Sequence, residues 1–205
     1  MSIIFFGDSI TAGSNSNTRF TDYFDEAVVN MGVSGTTIGE YSIYPVDGYS
    51  LLRLYDCPEI KMADKIVLEY GINDTSAIMC DFVDTNKVLL NFIKILDGIK
   101  QLNNHAEIIF LALSGNSEIV YDYAKKQCNY LSNDYFRKFS FNFPATSWCN
   151  IYIELMKLIK ETVKVIPMIQ DMRFFDENAV CMSDDDLHPN EKGHYIISET
   201  IKKYM

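Results

Sequence analysis

Basic residues are scarce in this sequence of 205 residues. It holds 18 Lys and Arg against 28 Asp and Glu, which gives a formal net charge of −10 at pH 7. A protein whose main partner is nucleic acid or an anionic membrane presents a basic face to it. The shortage of positive charge therefore argues against both partners.

The sequence also lacks a cysteine pattern. Its five cysteines are scattered along the chain, and none of them stands in a CxxC spacing. An odd, irregular set fits neither a disulfide framework nor a zinc site. We therefore expect free thiols in a reducing compartment and no metal.

Long apolar runs are missing as well. No stretch approaches the ~20 residues that a membrane-spanning helix needs. The start, Met1 and Ser2 before the short apolar run Ile3–Phe6, has no basic region of the kind that opens a signal peptide. The expectation is a cytoplasmic protein with no integral membrane segment.

Short apolar runs alternate with helical patterns along the chain. The runs lack strict alternation of apolar and polar residues, which is typical of strands covered on both faces. The predicted strands are Ile3–Phe6, Ala27–Val29, Lys65–Tyr70, Glu107–Leu113 and Val163–Ile169. The predicted helices are Thr85–Leu102, Trp148–Lys160 and Pro189–Tyr204, the last with proline in its first turn. This order predicts one α/β domain over residues 1–205, a three-layer sandwich with about five parallel strands.

Polar segments follow the first three predicted strands, and another precedes the last helix. In parallel sheets, ligands bind outside the carboxyl ends of the strands, so these segments could converge on one crevice. The segments are Gly7–Gly13, Asn30–Gly35, Gly71–Asp74 and Asp185–Pro189.

The four segments carry the residue types that acyl transfer requires: a nucleophile, a base, a carboxylate that orients the base, and oxyanion donors. Ser9 follows a turn that would project its hydroxyl from the sheet edge. His188 is the only one of the three histidines beside a carboxylate motif, with Asp185 three residues before it. The backbone amides of Ser9 and Gly35 and the side-chain amide of Asn73 could donate to an oxyanion.

These segments resemble blocks I, II, III and V of the SGNH hydrolases, also called the GDSL esterase/lipase family. The matching residues are Gly7-Asp8-Ser9 (with isoleucine in place of the leucine that follows), Asn30-x-Gly32-x-Ser34-Gly35, Gly71-x-Asn73-Asp74 and Asp185-x-x-His188-Pro189. The resemblance spans nearly the whole chain. It implies a flavodoxin-like αβα sandwich and ester or thioester hydrolysis without a metal or organic cofactor.

The resemblance also implies roles for individual residues. Ser9 is the nucleophile, and Asp185 and His188 complete the triad. The oxyanion hole is formed by Ser9, Gly35 and Asn73. The supporting motif residues are Gly7, Asp8, Asn30, Gly32, Gly71 and Asp74.

Simpler interpretations exist for each motif. Ser9 could merely cap the helix that follows it, or the turn Gly7–Gly13 could hold a phosphate on backbone amides. The run Asp184–Asp186 could be a solvated acidic turn or a divalent-cation site. Within that run, either neighbour of Asp185 could orient His188 instead. His194 is expected to be a surface or packing residue, and His105 to be solvated.

The segment at about residues 114–148 is the least family-like part, and it is rich in aromatic side chains. It could be a helical pair packed on the core. It could instead be a lid or substrate wall, because it begins at the expected active-site edge, or a dimer surface. Its aromatic residues are Tyr121, Tyr123, Tyr130, Tyr135, Phe136, Phe139, Phe141, Phe143 and Trp148.

The sequence thus predicts a serine esterase that acts on a small-molecule ester. By analogy with single-domain relatives, we expect a short acyl group such as an O-acetyl, carried by a carbohydrate for example. Lysophospholipase, acyl-thioesterase and acyltransferase activities are alternatives within the same chemistry. A non-catalytic flavodoxin-like module that binds phosphate or a nucleotide, or an interaction protein that has lost the activity, are alternatives outside it. The sequence leaves the oligomeric state open.

Overall fold

The five expected strands are all present and form one parallel sheet. A computed structural model describes residues 1–39, 41, 50–133, 144–176, 178 and 180–205. The strands are β1 (Ser2–Gly7), β2 (Ala27–Gly32), β3 (Lys65–Glu69), β4 (Glu107–Ala112) and β5 (Lys164–Pro167). Their order across the sheet is β2-β1-β3-β4-β5, with every neighbouring pair parallel.

The centre of the sheet is buried on both faces, as the continuous apolar runs predict. Phe5 and Phe6 of β1 and Ile66 of β3 have no exposed surface. The chain leaves β1 toward one edge of the sheet and later returns beside it as β3. A crevice opens at such a switch point, outside the carboxyl ends of the two strands. The residues after β1 and β3 therefore face a common site.

Helices flank the sheet. They are α1 (Ser9–Ala12), α2 (Ser50–Tyr55), α3 (Ile72–Met79), α4 (Thr85–Leu102), α5 (Ser117–Asn133), α6 (Ala145–Lys160) and α7 (Glu191–Lys202). Short 3-10 turns lie at Phe20–Tyr23, Pro58–Met62 and Met172–Phe175. The prediction for α4 is confirmed at both ends, because its apolar stripe is regular and the Asp84 side chain caps it by accepting from the Lys87 amide at 2.8 Å. None of the described helices is long and apolar enough to cross a membrane.

The predicted start of the last helix is wrong. Pro189 lies outside α7 and instead pairs with Met182 in an isolated antiparallel bridge. Asn190 is the residue that caps α7, and its side chain accepts from the Gly193 amide at 3.1 Å. The bridge, with the Ser183 amide donating to the His188 carbonyl at 2.8 Å, closes the segment before α7 into a tight loop. We call residues 182–189 the histidine loop.

Where the structure describes residues 114–148, α5 and α6 pack together as the helical-pair interpretation expects, and Tyr123 and Tyr130 also line a cavity, as the substrate-wall interpretation expects. Trp148 is fully buried and stacks on Tyr152, with ring centroids 5.2 Å apart. Five of the aromatic residues singled out in the sequence lie outside the described residues; they are Tyr135, Phe136, Phe139, Phe141 and Phe143. All five cysteines lie in the described part of the chain, are buried, and form no disulfide.

Candidate active site

A cavity of about 220 Å³ lies at the carboxyl edge of the sheet and receives residues from all four predicted segments. It is lined by Ser9, Ser34, Gly35, Ile72, Asn73, Tyr123, Gln127, Tyr130, Leu187 and His188. A larger cavity of about 720 Å³ lies along α7 and contains none of the predicted site residues. The chemistry therefore points to the smaller cavity.

Ser9 is the first residue of α1, two residues after β1 ends at Gly7. The preceding residue, Asp8, caps this helix, since its Oδ1 accepts a hydrogen bond from the Ile10 amide at 3.0 Å. The alternative in which Ser9 serves as the cap is therefore wrong. Its hydroxyl is half-buried and lines the cavity.

Asn30 and Gly32 fix the position of α1 from the neighbouring strand. The Asn30 amide donates to the Thr11 carbonyl and to the Thr21 hydroxyl, both at 2.7 Å, and its Oδ1 accepts from the Gly32 amide at 2.8 Å. A Cβ at Gly32 would come within 2.3 Å of the Ala12 nitrogen. Only glycine lets β2 approach the backbone of α1 this closely.

Asp185 holds His188 in the histidine loop. Its Oδ2 is hydrogen-bonded to His188 Nδ1, while its Oδ1 accepts from the Ser183 hydroxyl at 2.6 Å and from the His188 amide at 2.9 Å. Burial raises the pKa of Asp185, but these hydrogen bonds outweigh it and hold the pKa well below its ordinary value. An ionised Asp185 accepts the Nδ1 proton, which leaves Nε2 of His188 as the basic nitrogen.

The neighbours of Asp185 do not take its place. Asp186 pairs with Lys126 of α5, and Asp184 is exposed. The structure thus selects Asp185 among the three aspartates that the sequence left open. No group of His, Cys, Asp and Glu side chains in the described part of the chain could hold a metal ion.

Asn15 is a contact of this pair that sequence reasoning missed. Its Nδ2 donates to Asp185 Oδ2 at 2.7 Å and lies 3.5 Å from His188 Nδ1. Asn15 has a left-handed backbone, with φ +62°. Asparagine adopts that conformation more readily than most residues. This preference is the only feature of the sequence that could have pointed to Asn15. Asn15 joins the segment of the candidate nucleophile to the histidine loop.

The predicted oxyanion donors Gly35 and Asn73 reach the cavity, but the Asn73 amide is engaged. Gly35 is buried, with φ +78°. The Nδ2 of Asn73 donates to the Thr36 carbonyl at 2.9 Å and to Asp8 Oδ2 at 3.3 Å. An oxyanion would therefore have to displace the longer of the two contacts.

Asp74 anchors the turn between β3 and α3. One of its oxygens accepts from the Gly71 amide at 3.1 Å, and the other accepts from the Ile38 amide at 3.0 Å and the Tyr41 hydroxyl at 2.7 Å. Burial raises the pKa of Asp74 to about 6 despite these bonds. Gly71 itself has φ +107°, a conformation that favours glycine. These contacts tie the Asn73 segment to the loop after β2.

A second carboxyl, Glu69 at the end of β3, lies beside Asp8 and was missed by sequence reasoning. Both side chains are 1% exposed. Glu69 Oε2 accepts from the Thr11 hydroxyl at 2.9 Å and from the Asp8 amide at 3.4 Å. Burial raises the pKa of both carboxyls, and the charge of Glu69 raises the pKa of Asp8 further. Burial and the closeness of the two carboxyls therefore both oppose ionisation of the pair.

The hydrogen bond between nucleophile and base that a serine–histidine site needs is not formed in this structure. Among the described residues, the Ser9 hydroxyl makes no hydrogen bond to His188, although both line the cavity. Such contacts are often long without a substrate and tighten when one binds. His194 is fully buried and takes no part: its Nδ1 accepts from the Phe20 amide at 3.2 Å, and burial lowers its pKa to about 4.

The model of the GDSL-like Lipase/Acylhydrolase family matches residues 5–196. The chain belongs to this family. It is an ester-bond hydrolase, and its parallel sheet of five strands flanked by helices is the family's three-layer α/β fold.

Solved structures of esterases and lipases share the fold. A lipase from a goat rumen metagenome is 16% identical with a TM-score of 0.63, over 99% of this chain and 96% of that one. An acetylxylan esterase from Geobacillus stearothermophilus is 15% identical with a TM-score of 0.56, over 98% and 92%. A family two carbohydrate esterase from Clostridium thermocellum is 13% identical with a TM-score of 0.61, over 99% and 62%. A search of curated proteins gives no match.

Proposed function

We propose that this hydrolase is a serine esterase that removes a short acyl group, such as an O-acetyl, from a small-molecule ester. Ser9, His188 and Asp185 form its triad. One observation carries the proposal: Ser9 and His188, from opposite ends of the chain, line one cavity, and the Asp185 carboxylate holds the Nδ1 side of the imidazole.

The reaction proceeds in two halves. Nε2 of His188 takes the proton of the Ser9 hydroxyl as its oxygen attacks the ester carbonyl, and Asp185 stabilises the resulting imidazolium. The amides of Ser9, Gly35 and Asn73 donate to the oxyanion of the tetrahedral intermediate. His188 then protonates the departing alcohol. Water attacks the acyl-enzyme in the second half, with His188 again the base.

The size of the cavity favours a short acyl group. Its volume of about 220 Å³ is below the ~300–1,000 Å³ of pockets that enclose a drug-sized ligand. The acetate of a small alcohol fits such a space, whereas a long fatty acyl chain would have to extend beyond it. The acetylxylan and carbohydrate esterases among the structural neighbours agree with this choice.

The phosphate-binding alternative at the turn Gly7–Gly13 is disfavoured by the charges around it. The Ile10 amide is already taken by the Asp8 carboxylate, and Glu69 is buried next to it. A phosphate would meet two acidic side chains there, and the Ile10 amide would not be available to it.

Hydrolysis of p-nitrophenyl esters from acetate to octanoate tests the proposal. The wild type is expected to hydrolyse acetate fastest, and Ser9→Ala to lose turnover by several orders of magnitude. Ser117→Ala, which removes an exposed hydroxyl at the start of α5, is the matched control and should keep the wild-type rate. Turnover that survives in Ser9→Ala would exclude Ser9 as the nucleophile. A rate that rises with chain length would exclude the proposed specificity for a short acyl group.

A further inference from the structure

Three of the residues that line the cavity come from α5, which contributes none of the four motifs. Tyr123, Gln127 and Tyr130 are spaced so that they lie on one face of the helix. Gln127 is only 1% exposed. A carboxamide is costly to bury unless its polar atoms find partners. The partners of the two polar atoms of Gln127 therefore indicate what this side chain binds.

The contacts of Ser76 indicate the orientation of the Gln127 amide. The Ser76 hydroxyl donates to the Ile72 carbonyl at 3.2 Å and accepts from Trp148 Nε1 at 3.0 Å. With its hydrogen directed at Ile72, it also accepts from Gln127 Nε2 at 3.3 Å. The flipped amide would draw that hydrogen away from the Ile72 carbonyl.

In this orientation, Gln127 Oε1 is the polar atom of the amide that remains to be explained. The oxygen is buried and has no hydrogen-bond partner among the described residues. A buried carbonyl without a partner is unfavourable, and a ligand that brings a donor recovers the lost hydrogen bond. The oxygen is closed off in this structure, but the residue lines the cavity that contains Ser9, so a substrate bound there is the ligand that would meet the oxygen when the side chain rotates.

The donor must be neutral and must belong to the alcohol part of the ester. Among the described residues that line the cavity, none is Asp, Glu, Lys or Arg, so none of them would compensate a buried cation. An acetyl group carries no donor of its own. A free hydroxyl on the alcohol part meets both conditions, and the rings of Tyr123 and Tyr130 offer it an apolar and aromatic wall.

We propose that Gln127 determines specificity by accepting a hydrogen bond, through Oε1, from a free hydroxyl of a polyol or sugar ester. This rests on the proposed function, because it places the ester carbonyl at Ser9. A site built to bind a hydroxyl discriminates strongly against the analogue that lacks it.

Matched pairs of acetates test the inference. Glycerol 1-acetate is compared with propyl acetate, and a monoacetylated methyl xyloside with cyclohexyl acetate. The wild type is expected to show a kcat/KM about tenfold or more higher for the hydroxylated member of at least one pair. Gln127→Met, which keeps the length of the side chain and removes Oε1, is expected to bring that preference to within about twofold.

The preference is a ratio within one preparation, so it does not depend on the fraction of variant that folds. Gln101→Met, on the exposed face of α4, is the matched control and should keep the wild-type preference. An unchanged preference in Gln127→Met, or a wild type without preference in either pair, would overturn the inference. Ser9-dependent turnover of p-nitrophenyl acetate separates this failure from failure of the proposed function, which would abolish that turnover as well.

Discussion

Replacement of Asn15 tests the contact that joins the two ends of the site. Its amide donates to Asp185 Oδ2 at 2.7 Å from an exposed position. Hydrogen bonds to charged groups contribute about 1.5–3 kcal/mol, and exposure to water reduces this, so we take about 1 kcal/mol. If the bond serves to hold the Asp185–His188 pair, its loss lowers kcat/KM by about fivefold.

The left-handed backbone of Asn15 separates this effect from strain. At φ +62°, alanine pays about 1–2 kcal/mol that glycine does not. Alanine also leaves the unfolded chain less entropy than glycine does, which raises the free energy of unfolding by about 0.4–1 kcal/mol. Asn15→Ala should therefore be less stable than Asn15→Gly by about 1 kcal/mol, although both have lost the amide and should lose the same activity.

Urea unfolding and hydrolysis of p-nitrophenyl acetate measure the two effects on the same preparations. A wild-type kcat/KM in Asn15→Gly would show that the amide does not hold the pair. Equal stability of the glycine and alanine variants would refute the argument from backbone conformation.

The remaining predictions concern the buried polar groups. Asn73→Ala should lower kcat by about 10²–10³ if its amide serves the oxyanion, and a wild-type rate would exclude that role. Because the pKa values of Asp8 and Glu69 are raised in the folded protein, proton binding to these carboxyls favours the fold. This contribution is complete below the ordinary carboxyl pKa and is lost as pH rises through the raised values. Glu69→Gln should therefore gain stability in urea relative to the wild type as pH rises above the ordinary carboxyl pKa of about 4, and a pH-independent difference would contradict the raised pKa values. The pKa of His194, lowered by burial to about 4, has the opposite sign: its contribution is complete above about pH 6.5 and is lost as pH falls through 4. The stability of the wild type relative to His194→Gln should fall over that range, and a constant difference would contradict it.

The parts of the fold that depend on local pattern could be predicted from the sequence. The apolar runs identified all five strands, and the apolar stripe of α4 gave both ends of that helix. The start of α7 could not be found in the same way. Pro189 is suited to a first helical turn, but its pairing with Met182 is a contact outside the helix that no local pattern records.

The same distinction between local pattern and tertiary contact applies to the candidate site. Three of its four motif segments follow strands, where topology brings them to one crevice, and the fourth directly precedes α7. Asn15, Glu69 and Gln127 belong to no motif, and their importance depends on which side chain each one meets across the fold. The engagement of the Asn73 amide by Thr36 and Asp8 is likewise a tertiary contact that the motif does not reveal.

Covalent labelling with a serine-reactive phosphonate tests the central claim most directly, because it asks which oxygen is the nucleophile. Intact-mass and peptide mass spectrometry should find a single adduct on Ser9 in the wild type and none in Ser9→Ala. His188→Gln should label far more slowly, because the base that activates the hydroxyl is gone. An adduct on any other residue, or equal labelling of the wild type and His188→Gln, would contradict the assignment of Ser9 and His188 as nucleophile and base.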